Sequence, residues 1–143
     1  MSMMVRITVV FILLGGAVWT QWIEIRSASK LEAPPSSFVE ELYQAKKSDV
    51  VVEVLGSVSK LKDNSAPGIR RQEFTLEFPG GHQVEVSHDT TTSPRVPMSN
   101  GDQVEVRGEY IWTEKGGIIH MTHRDPIPER TSGWINHNGK TYE

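Results

Sequence analysis

The chain has 143 residues, 15 Lys or Arg against 18 Asp or Glu for a net charge of -3, and no cysteine. That length suits one domain with one core. The missing cysteines exclude disulfide staples, thiolate nucleophiles, Cys-based metal sites and lipidation on a Cys. From Asp49 onward there are 10 basic and 14 acidic residues, a net of -4, so the domain lacks the electrostatic pull toward phosphate backbones and nucleic acid is not an expected partner.

Residues 1–30 read as a targeting or anchoring segment. Ile7 to Trp19 is an uncharged run preceded by Arg6, and Ile7 through Ile25 taken as one helix would span roughly 28 Å, close to the hydrocarbon thickness of a bilayer. Trp19 and Trp22 would then lie at the interface, where indoles are favoured. The same stretch also fits a cleaved signal peptide, with Ser27-Ala28-Ser29 as the small-residue site. Either reading places the rest of the chain in the cell envelope: a single pass of the inner membrane with the domain in the periplasm, or a free periplasmic domain after cleavage.

Residues 31–48 are expected to form a linker and a short helix. Glu32 to Ser37 is a Pro and Ser break, after which Ser37 as N-cap, with Glu40 three residues on, opens a helical pattern. Phe38, Val39, Leu42 and Tyr43 fall on one face of it, and it ends near Lys47. From residue 49 the apolar period becomes two. Five strands are predicted, Val50 to Leu61, Ile69 to Phe78, His82 to His88, Gln103 to Trp112 and Gly117 to His123, each bounded by Gly, Pro, Asn or Asp turn chemistry. With no helical stretch between them the fold class is all-β. Five strands with the longest link between the third and fourth point to an OB-like Greek-key barrel over residues 49–143, with an SH3-like barrel or small open sheet as the alternative. Gly56 fits the bend that lets a first strand serve both halves of such a barrel.

The run from Gly116 through His120, Met121, Thr122 and His123 to Pro126, followed by Gly133-Trp134-Ile135-Asn136-His137-Asn138-Gly139-Lys140-Thr141-Tyr142, resembles a bacterial family known as domain of unknown function 3465. Arg71-Gln72-Glu73-Phe74 and Val86-Ser87-His88-Asp89 look like its upstream motifs, and the likeness covers roughly Val52 to Tyr142. The resemblance implies short exported proteins of one domain and carries no activity with it.

Four of the five histidines lie in those motifs. In an OB topology the third and fifth strands are parallel neighbours, so His88 and His123 would leave one end of the barrel together. Asp63, Arg70, Arg71, Asp89 and Asp125 would join them there. Such a rim would suit one divalent metal ion held by some of His88, Asp89, His120, His123, Asp125 and His137, or an anion steadied by Arg70 or Arg71. His120 and His123 themselves, three apart on a strand, are expected on opposite faces and so cannot share a metal. A metal-free network of His, Asp and Arg fastening strand ends fits the same residues. Tyr110, Trp112 and Trp134 are candidates for a stacking platform, with core packing as the plainer use.

Two functions remain open on the sequence. One is an exported, membrane-anchored binding module with a protein or oligosaccharide partner and an unknown ligand. The other is a metal-dependent hydrolase, acting on phosphodiesters, with His88, His123 and Asp125 as catalytic candidates.

Overall fold

In a computed structural model, residues 35–62, 67–68 and 70–143 are described. The apolar segment at 1–30 and Asp63 lie outside them. Contacts divide the chain into Met1–Leu31 and Glu32–Glu143. The second unit runs α1 (Pro35–Gln44), β1 (Val50–Leu61), β2 (Arg71–Glu77), β3 (Gln83–Asp89), β4 (Gln103–Ile111), β5 (Ile118–His120), β6 (Trp134–His137) and β7 (Lys140–Tyr142).

The strands order as β1-β2-β3-β5-β4-β6-β7, and a further pairing of β1 with β4 closes the first five into a barrel. β3 and β5 run parallel while the other pairs are antiparallel. This is the all-β, OB-like Greek-key arrangement expected from the spacing of strands and turns. Closure depends on β1 serving two neighbours: Val50 to Ser57 pair with β4, and Ser57 to Leu61 pair with β2. Gly56 sits at the changeover. A Cβ there would stand 2.7 Å from the Leu76 side chain and 2.9 Å from the Glu77 carbonyl oxygen, so only glycine lets the two strands approach so closely.

Alternation fills the barrel. β1 sends Val52, Val54 and Val58 inward, β2 sends Phe74 and Leu76, β3 sends Val84 and Val86, and β4 sends Val104, Val106 and Tyr110. Val39 and Leu42 of α1 join that core. The helix begins at Pro35, two residues before the expected Ser37 cap, because proline is well placed in a first helical turn. Phe38, expected on the packed face, is 44% exposed. Trp112 ties the helix down: its indole Nε1 donates to the Tyr43 carbonyl at 3.1 Å and its ring stacks on Tyr43 at 6.3 Å.

Two expectations about the strands are corrected. β5 stops at His120, three residues early, because Met121 takes a φ of 56° and turns the chain out of the ladder. The GWI and GKTY motifs form two further strands, β6 and β7, a hairpin that extends the sheet along β4 below β5.

Candidate functional site

The site begins with a seam. β3 and β5 are paired only at Glu85 with Ile118 and Val86 with Ile119, so Ser87, His88 and Asp89 run on past the end of the ladder. Over this seam lies a cleft of about 340 Å³ lined by Arg71, Glu73, Glu85, Val86, Ser87, Asp89, Ile111, Ile118, His120, Met121 and His123. One wall is formed by Arg71, Glu73, Glu85, Ser87 and Asp89, outward-facing residues of β2 and β3 alternate to the core positions. The β2–β3 face is where OB barrels generally receive ligands, and the volume falls in the range of small-molecule sites.

Met121 decides which histidines meet. Its left-handed turn breaks the two-residue alternation, so His120 and His123, expected on opposite faces, line the same cleft. Neither ring is fully used by the fold. His123 Nδ1 is out of reach of solvent and has no hydrogen-bond partner among the described residues. His120 Nε2 faces the Glu109 carboxylate at 3.4 Å without a hydrogen bond of normal geometry.

The carboxylates of the cleft are better served. Lys62 reaches Glu85 at 3.2 Å and Glu73 at 3.7 Å, and its ammonium is held above the usual lysine range, chiefly by the hydrogen bond to Glu85. Asp89 accepts from the Thr91 backbone N–H at 2.8 Å and from the Thr91 hydroxyl. Those two bonds hold its carboxyl below the usual range, with smaller contributions from the nearby His123 and Arg71. Arg71 makes no ion pair or hydrogen bond with another described side chain; Asp89 is its near charge.

The remaining candidates are elsewhere. His88 is fully buried, on the inward face of β3. Its Nε2 lies 3.1 Å from the Pro94 carbonyl, which can only accept, so Nε2 carries the proton; Nδ1, 2.8 Å from Thr122 Oγ1, then accepts from that hydroxyl. Burial pushes its pKa down and keeps the ring neutral. Thr122 follows β5 and Pro94 lies in the β3–β4 link, so His88 joins three segments where the backbone ladder has run out. It is a core fastener: His123 stands near enough for its charge to bear on His88, but the His88 ring is spent on Thr122 and Pro94 and does not open onto a shared rim.

His137 is also buried, with Nε2 at 2.9 Å from Asp102 Oδ2. It stands opposite Val104 on β4, whereas His120 stands opposite Glu109; five strand residues separate them by about 17 Å. Asp125 lines a different pocket, with Val51, Gly108 and Arg130, and its carboxylate accepts the Ile127 N–H at 2.9 Å. Arg70 is exposed, and its carbonyl accepts the Thr90 N–H at 2.9 Å. Among the described residues no three His, Asp or Glu side chains converge on a point that would hold a metal ion. The expected metal set is thus dispersed, and with it the geometry that motivated a metal hydrolase.

The stacking platform is corrected as well. Tyr110 is fully buried and its hydroxyl donates to the Gly116 carbonyl at 3.0 Å, and Trp112 fastens α1. Trp134 is half-buried on β6, opposite Arg107, and is not among the residues that line the cleft. Its neighbour Gly133 is forced by space: a Cβ there would lie 1.9 Å from the Met121 carbonyl oxygen and 2.6 Å from that of Arg107.

Residues the sequence did not single out complete the site. Gln72 is buried and clamps the β3–β4 link, with Nε2 donating to the Val96 carbonyl at 2.8 Å and Oε1 accepting the Val96 N–H at 2.9 Å. Glu73, Glu85, Lys62 and Ser87 carry a legible outward parity, but their convergence follows only from the register of β2 on β3. Nothing in the local sequence marks Met121 for a left-handed turn.

The family model described as protein of unknown function (DUF3465) matches residues 26–143. No curated protein matches the chain. The match takes in both histidine motifs, the cleft and all seven strands, and the chain belongs to the DUF3465 family.

Proposed function

We propose that this protein is an envelope binding module, anchored by its N-terminal apolar segment, whose OB-like domain receives a polar ligand in the cleft over the β3–β5 seam. One observation carries the reading: two imidazoles share a cleft of about 340 Å³ while a buried nitrogen of each lacks a normal hydrogen bond. Buried polar groups without partners cost about 1–3 kcal/mol each, and native domains keep few of them unless something else uses them. His88 and His137, by contrast, are engaged with their neighbours. Export and anchoring rest on the uncharged run Ile7 to Trp19 behind Arg6.

A fragment screen tests the binding reading while leaving the identity of the ligand open. Several hundred small polar molecules are titrated against the isotope-labelled full chain, and shift changes are mapped by NMR. Hits should cluster on Ser87, Ile118, His120, Met121 and His123. Hits gathered instead around exposed Val51 and Leu55 on β1, or spread without preference, would remove the cleft as the site. Export is tested with a reporter, active only outside the cytoplasm, fused after Glu143: activity supports the placement, and a silent but expressed fusion contradicts it.

A further inference from the structure

β1 has an open edge that shares no residue with the cleft. Val58 donates to the Asp102 carbonyl at 2.8 Å, and the bonded pairs of an antiparallel ladder recur at every second residue. Gly56, Val54 and Val52 therefore turn their N–H and C=O groups toward β4, opposite Val104, Val106 and Gly108. Val51, Glu53, Leu55 and Ser57 turn theirs the other way. Ser57 meets Glu77 there, but β2 ends at that residue and Phe78 turns back to bond with His82. Three positions of the edge are left, Val51, Glu53 and Leu55, whose backbone groups make no hydrogen bond with any described residue.

These free groups recur about every 6.8 Å, the repeat of an extended chain, and such an edge is a template for another strand unless something blunts it. No proline or lysine stands between residues 51 and 55, and the register on β4 runs unbroken from Val50 to Ser57. Val51 is 45% exposed and Leu55 49%. Beside Leu55 a hollow of about 280 Å³ opens along Gly56, Phe78 and Pro79. Charge then selects the occupant. The outward side chains of β4 opposite the edge are Glu105, Arg107 and Glu109, so with Glu53 this face carries three carboxylates and one guanidinium. A second copy paired antiparallel about Glu53 would set that carboxylate against itself, and like charges directly opposite are destabilising. A strand with Lys or Arg at that position and an apolar residue two places to either side meets Val51, Glu53 and Leu55 without conflict. We infer that the open edge of β1 takes an extended segment of a partner polypeptide, with apolar, basic and apolar residues alternating on one face, added antiparallel along Val51 to Leu55.

The full chain in uncharged nanodiscs, labelled for NMR, is titrated with three peptides. They are acetyl-Thr-Val-Thr-Lys-Thr-Val-Thr-amide, its analogue with Glu in place of Lys, and the lysine peptide N-methylated at Lys, which removes the donor that would face Glu53. Before any peptide is added, the amide hydrogens of Val51, Glu53 and Leu55 should exchange at least about tenfold faster than those of Val52 and Val54. Protection there would mean that a second copy or another part of the chain already holds the edge, and would overturn the proposal. The lysine peptide should shift those three amides and slow their exchange, and the glutamate and N-methyl peptides should bind about fivefold or more weakly. Glu53→Lys, on an exposed side chain, should leave the core spectrum unchanged and reverse the order of the lysine and glutamate peptides. Lysine and glutamate peptides that bind alike, N-methylation without effect, shifts confined to other surfaces, an order that Glu53→Lys does not reverse, or no binding of any peptide would each overturn the assignment.

Discussion

Replacing His88 with alanine probes the fold at its most dependent point. The ring is fully buried, and it joins Thr122 after β5 to Pro94 before β4 at 2.8 and 3.1 Å. The Pro94 residue is exposed, so its carbonyl can turn to water at little cost. Thr122 is fully buried, and its hydroxyl, stripped of its acceptor, costs about 1–3 kcal/mol. The space left by the imidazole adds about 2 kcal/mol. The expected loss is therefore about 3–5 kcal/mol, against the 5–15 kcal/mol of a typical domain, and is read as a lower urea midpoint at unchanged slope. A double-mutant cycle with Thr122→Val should return a coupling of about 1–2 kcal/mol. A loss below about 1 kcal/mol, or no coupling, would refute the claim that this bond closes the barrel seam.

His88 also sets a pH dependence. Burial lowers its folded-state pKa below the ordinary value of about 6.5, so the unfolded chain takes up the proton first. Stability from this group is complete above about pH 6.5 and falls as pH drops below it, until the folded ring itself titrates; urea midpoints from pH 8 to 5 should show this fall, and His88→Ala should flatten it. Gln72→Leu strands the N–H of buried Val96, whose carbonyl keeps the Met98 N–H at 3.0 Å, and should cost about 1–3 kcal/mol in the same assay. Gly133→Ala places a Cβ against two carbonyl oxygens and should cost about 3 kcal/mol or more, with broadened amide signals along β6.

The barrel was legible because strand alternation is a strictly local property. Every fully buried position of β1 to β4 follows from parity once the first is placed, and only Leu61, beyond the register shift after Val58, packs on the core out of phase. The site was less so, for two physical reasons. Parity holds only while a chain stays extended, and the left-handed Met121 carried His123 onto the face where His120 stands, a change that no neighbouring residue announces. Partnerships between strands depend on register: His137 found Asp102, and Asp89 found Thr91, because the ladder and a tight turn put them there. Treating all strand-end histidines as one rim merged a core fastener, a hairpin fastener and two cleft residues that their motifs do not distinguish.

The histidines divide their labour: His88 holds the barrel, and the proposed function leaves His123 for a ligand. The urea stability of His123→Leu, measured beside the parent chain, tests that division most directly. Removing an unpartnered buried nitrogen should leave stability within about 0.5 kcal/mol or raise it. A loss comparable to that of His88→Ala would mean that His123 is another fastener, and the cleft would lose the feature that marks it as a binding site.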